Sequence, residues 1–165
     1  HLLHSLLISR RAAEHLALGT EDLRRLVARC HAWFEVRGLN PPTLYVPPAW
    51  ALGRLDRDAL AALPFRQYET TGGVLDAYGG RFRRLPLAGF EADRRWRAGA
   101  LRLWNAVNTA RADAARPLRV AIHPRDLELR LGGALDALLA RDLRCHHYGD
   151  LLDAPGPEPS PSGAH

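Results

Sequence analysis

Short apolar runs of strand length alternate along this chain with longer stretches whose apolar residues recur every three or four positions. That alternation narrows the possible folds most, because strands separated by helices pair in parallel and need those helices to cover them. Leu23, Leu26, Val27, Cys30 and Phe34 recur at helical spacing. Thr20 can cap that helix, Glu21 and Asp22 suit its first turn, and Gly38 ends it. Residues 43–46 read as a strand stopped by Pro47-Pro48, 56–63 as a short helix and 66–70 as a strand leading to a turn at Gly72-Gly73. Residues 74–77 and 82–85 flank Tyr78-Gly79-Gly80 as a hairpin. A long helix over 92–114 has Trp96, Ala100, Leu103, Trp104 and Val107 as its expected buried stripe. A strand at 118–122, a helix capped by Asp126 and a last strand at 144–148 follow. The expectation is an α/β domain over residues 1–152 with mostly parallel strands. Residues 153–165, dominated by Pro, Gly and Ser, read as a disordered tail.

Within this order, Leu118-Arg-Val-Ala-Ile-His-Pro-Arg-Asp-Leu127 stands out. An apolar strand stops at His123, Pro124 follows at once, and the next helix carries Leu127, Leu131, Ala134, Leu135 and Leu138 at helical spacing. His123 therefore sits where a strand hands over to a helix, the edge at which parallel α/β folds build their sites. An imidazole there suits acid–base chemistry, and it equally suits a strand-end histidine bonded to backbone.

The formal net charge is +5, and all 23 basic residues are arginine. They are spread along the chain and mostly interleaved with Asp and Glu, whereas nucleic-acid binding needs a clustered basic face, so a nucleic-acid partner is not expected. No run of 18 apolar residues occurs, so no membrane span is expected. Cys30 and Cys145, the only thiols, have neither C-x-x-C nor zinc spacing. They read as buried structural thiols of a reducing compartment such as the cytoplasm, with a disulfide between them left open. The chain has no methionine and starts inside what reads as a structured segment, so further strands are expected upstream of His1.

Other residues are candidates for chemistry. His1 and His4, three apart, can face one way on a helical turn and hold zinc or a similar metal; the alternative is a polar, frayed terminus. Leu44-Tyr-Val-Pro-Pro-Ala-Trp50 fixes an extended loop after a strand. Trp50 can then wall a cleft, which suits the apolar C–H face of a sugar ring, or pack in the core. Glu69 and Glu91 can orient a substrate or form structural ion pairs with arginine. His31 reads as a solvent-facing helix residue, and His146-His147 as neighbours on opposite faces of a strand. Gly-rich phosphate loops, G-x-S-x-G and H-E-x-x-H are absent.

Taken together, residues 44–50, Phe65-Arg-Gln-Tyr-Glu-Thr70, Phe90-Glu91 and Ala121-Ile-His-Pro-Arg-Asp-Leu127 resemble the polysaccharide deacetylase superfamily, in a divergent bacterial branch. The resemblance runs to about Leu152 and corresponds to the C-terminal two-thirds of that domain. It implies a distorted (β/α) barrel, here without its N-terminal strands. It also implies a hydrolase that removes acetyl groups from N-acetylated carbohydrate with a divalent metal, often zinc. By the resemblance, His123 is the catalytic acid toward the leaving amine. His1 or His4 is the second metal histidine. Pro48, Trp50, Glu69 and Asp126 are substrate-binding positions. The family's paired aspartates have no counterpart in this chain, and Val46 stands near the place of a family arginine. A non-catalytic carbohydrate-binding relative that keeps the cleft without the metal is the other reading.

Overall fold

The computed structural model describes residues 14–153. His1, His4 and the tail from 154 onward lie outside the described residues. The helices are α1 (Glu14–Ala17), α2 (Thr20–Val36), α3 (Arg57–Ala61), α4 (Arg95–Arg111), α5 (Gly132–Leu139) and α6 (Tyr148–Asp153). The strands are β1 (Leu44–Tyr45), β2 (Gln67–Thr70), β3 (Gly73–Asp76), β4 (Arg81–Arg84), β5 (Leu87–Gly89) and β6 (Arg119–Ala121). The protein is therefore α/β. Its strands form two small sheets, ordered β1-β2-β3-β4 and β5-β6, with no closed barrel among the described residues. β1 runs parallel to β2 and β5 to β6, while β2, β3 and β4 are successively antiparallel. No helix among the described residues is long and apolar enough to cross a membrane.

Leu23 and Val27 of α2 pack with Leu60, Leu63, Phe65, Tyr68 and Ala77 beneath the larger sheet. Ala88, Phe90, Ala98, Leu101, Leu131 and Leu135 form a second core around β5, α4 and α5. Burial pushes the Tyr45 hydroxyl up to about 12. It lies 2.6 Å from His15 Nε2, which ties α1 to β1. Gly73 is required where β3 meets β4, because a Cβ there would run into the Arg83 carbonyl oxygen.

Several local expectations are overturned. Gly19, not Thr20, is the N-cap of α2, without a side-chain bond. Asp56 caps α3, its side chain accepting from Ala59 N–H at 2.8 Å. The Asp126 carboxylate turns back to the His123 N–H instead of capping, so only a short 3₁₀ turn forms there and α5 starts at Gly132. Residues 144–147 do not form a strand, and Tyr148 opens α6. Its hydroxyl donates to Glu69 Oε1 at 3.1 Å, and burial followed by the Glu69 charge raises it above the ordinary phenol range. Cys145 is exposed, Cys30 is half-buried, and both are free. His31 is half-buried, with its ring edge-on to Phe65 at 5.1 Å.

The stripe expected on α4 is rotated. Arg97, Ala98, Leu101 and Asn108 are buried, whereas Trp96 and Leu103 are 50% and 69% exposed. The cause is β5, a short strand missed by the pattern, one of whose edges has no strand partner among the described residues. Asn105 accepts from Gly89 N–H (3.0 Å) and donates to Gly89 O (2.8 Å). Asn108 accepts from Leu87 N–H (3.3 Å), and Trp104 Nε1 donates to Leu87 O (2.7 Å). The helix thus completes the open edge with polar side chains, because buried backbone groups must find partners.

The two sheets are joined through Arg119 of β6. Its guanidinium donates to Glu69 Oε1 (2.8 Å) and to the carbonyls of Thr70 (2.7 Å), Thr71 (2.8 Å) and Leu85 (3.0 Å). Both partners of the ion pair are buried. Removing one leaves the other buried and uncompensated, so Arg119→Met is expected to destabilise by roughly 3–5 kcal/mol. Adding Glu69→Gln should recover part of that loss. Chemical denaturation of the single and double variants checks both expectations.

Candidate functional site

A cleft of about 340 Å³ opens at the C-terminal ends of β1, β5 and β6. That volume lies at the lower end of the range for small-molecule sites. Three strand ends line it: Val46 to Trp50 after β1, Gly89 to Glu91 at the end of β5, and Ala121 and His123 at the end of β6; Leu101 of α4 also contributes. The ends of β5 and β6 meet because that pair is parallel, and the end of β1 comes to them from the other sheet.

The β1 end is shaped by two overlapping turns. Trp50 N–H donates to Pro47 O (2.9 Å) and Ala51 N–H to Pro48 O (3.1 Å). Ala49 and Trp50 both take left-handed backbone, at φ 52° and 55°. Such conformations cost of order 1–3 kcal/mol each in a non-glycine residue and collect at functional sites. Here they seat Pro48 and Trp50 in the cleft lining. The Trp50 Nε1–H is buried and has no hydrogen-bond partner among the described residues. A buried donor without a partner costs about 1–3 kcal/mol.

The β6 end presents a histidine backed by a carboxylate. Asp126 is fully buried; its Oδ2 accepts from the His123 N–H at 2.9 Å and lies 3.5 Å from His123 Nδ1. The imidazole itself is half exposed. The second carboxylate oxygen of Asp126 has no hydrogen-bond partner among the described residues. Asp126 is therefore placed to position His123, and it does not itself line the cleft.

The structure thus brings Pro48, Trp50 and His123 together, with Asp126 behind them. Glu69 does not join them; its carboxylate is buried against Arg119 and Tyr148. His1 and His4 lie outside the described residues. Among the described residues no three His, Cys, Asp or Glu side chains gather to hold a metal ion. Glu91 and Phe90 do line the cleft, while the strand that carries them there, β5, gave no sequence signal. A three-residue strand is too short to show a period.

No family model, curated protein or solved structure matches this chain.

The strained turn has a measurable consequence. Ala49→Gly removes the left-handed penalty at φ 52° and should stabilise the fold by about 1 kcal/mol. An unchanged or lowered thermal midpoint in this variant would contradict the strain assigned to the Pro48–Trp50 turn.

Proposed function

We propose that this cleft belongs to a hydrolase that removes acyl groups, acetyl above all, from N-acetylated carbohydrate or a related amide. The chain would then be a divergent relative of the polysaccharide deacetylases, on a (β/α) barrel of their type. The observation that carries this reading is His123, backed by buried Asp126, lining one cleft with Pro48 and Trp50 at the ends of parallel strands.

In this reading the indole of Trp50 takes the apolar face of a sugar ring. Glu91, also in the lining, accepts from a sugar hydroxyl. Amide hydrolysis adds water to the acyl carbon and breaks the C–N bond. The amine is a poor leaving group unless its nitrogen is protonated as the bond breaks. Protonated His123 supplies that proton, with the Asp126 carboxylate 3.5 Å from its ring and bonded to its backbone N–H. A divalent metal such as zinc, implied by the resemblance, lowers the pKa of bound water and polarises the carbonyl when bound. Its ligands would have to include groups outside the described residues, such as His1 and His4, since the described residues hold no metal-binding group.

The test is acetate release from N-acetylated oligosaccharides by the zinc-loaded protein. His123→Ala should lower kcat by about a hundredfold to ten-thousandfold with its zinc content unchanged. Trp50→Ala should chiefly weaken binding, by about tenfold. Wild-type turnover in His123→Ala would refute the acid role. Saturable oligosaccharide binding without acetate release would leave the non-catalytic carbohydrate-binding relative as the reading.

A further inference from the structure

A second cleft, of about 640 Å³, shares no lining residue with the first. It lies at the opposite edge of the β5–β6 pair, where Pro86 leads into β5 and Arg116 precedes β6. None of its lining residues is acidic, and three are arginines: Arg84 at the end of β4, Arg111 at the end of α4, and Arg116. Asp113 engages Arg116 through Oδ2 at 2.6 and 3.1 Å. Arg84 and Arg111 have no ion-pair partner among the described residues. Neighbouring Arg83 donates to Ala115 O at 2.7 Å and so fixes the loop that carries Arg116 against β4.

Two aromatic rings accompany these cations. Phe82 and Trp104 both line the cleft and remain 44% and 38% exposed. Trp104 is held in place by its bond to Leu87 O, and Asn108 Nδ2 donates to Trp104 O at 2.9 Å. The aromatic wall is therefore built before any ligand arrives, which lowers the ordering cost of binding. The carbonyl end of α4 opposes an anion with roughly half a negative charge. Two unpaired guanidinium groups outweigh it. Arginine forks match the oxygens of phosphate, and a fixed ring edge or face matches an apolar ring.

We propose that this cleft binds the phosphate monoester of a ring compound, with the phosphate between Arg84 and Arg111 and the ring against Trp104 and Phe82. The proposal is independent of the hydrolase reading, because the two clefts share no residue. Both a sugar phosphate and a nucleoside monophosphate carry this chemistry.

Calorimetric titration of the full chain with inorganic phosphate, a hexosamine phosphate and a nucleoside monophosphate tests it. At least one ring phosphate should bind about tenfold more tightly than inorganic phosphate and weaken as salt rises. Which of the two binds identifies the source. Arg84→Ala and Arg111→Ala, both at exposed positions, should each weaken binding about tenfold with the circular dichroism unchanged. Trp104→Phe should remove the accompanying fluorescence change, and Trp50→Phe should keep it. The proposal is overturned if neither ring phosphate exceeds inorganic phosphate, or if both arginine variants bind as the wild type does. Affinity that rises with oligonucleotide length would also overturn it, in favour of a nucleic-acid surface.

Discussion

Arg119 holds this fold together. It lies on a three-residue strand of the smaller sheet and reaches across to four acceptors at one end of the larger one. A buried guanidinium is costly to desolvate, and it is tolerated here because its terminal nitrogens find a carboxylate and backbone carbonyls. Those carbonyls belong to the β2–β3 turn and the residue after β4, so one side chain gathers backbone from two strand ends. Glu69, in turn, accepts from Tyr148, so the C-terminal helix is drawn to the same point. One ion pair thus sets how β6 stands relative to β1 and β2. The cleft depends on that placement, since its walls come from both sheets.

The same economy appears at the other junction. β5 and β6 make a sheet of two short strands, which is marginal alone. Trp104, Asn105 and Asn108 satisfy the outer edge of β5 where a further strand would otherwise pair. This choice gives the molecule two faces. Turning the asparagines inward leaves Trp104 partly exposed at one end of the pair, beside the arginines. Leu101, on the buried side of the same helix, closes the cleft at the other end.

These features explain what could be read in the sequence and what could not. The helix of Leu23 and Val27, the hairpin around Tyr78-Gly79-Gly80 and the strand before His123 were legible, because their apolar residues and turn glycines report directly on local geometry. That Pro48 and Trp50 line the cleft with His123 was expected only from the resemblance, since the residues alone left a core position for Trp50 equally open. The buried face of α4 was not. An apolar-stripe argument cannot find a helix that points asparagines at a strand edge. Glu69 was legible from its residues as a structural ion-pair partner of an arginine, which it is; only the resemblance placed it at the substrate, and its partner, 50 residues away in sequence, could not be named in advance. Asp126 read as a helix cap, and its preference for a nearby backbone N–H was right while the N–H it found was that of His123.

The proposed hydrolase has to receive an N-acetylated sugar in the cleft between Trp50 and His123. Chemical-shift mapping of the full chain with an N-acetylated oligosaccharide examines it directly. Perturbations are expected to be confined to residues 46–50, 89–91 and 121–126, with the Trp50 indole resonance moving as a sugar ring stacks on it. A perturbed set elsewhere on the surface, or an indole resonance unmoved at saturation, would contradict it.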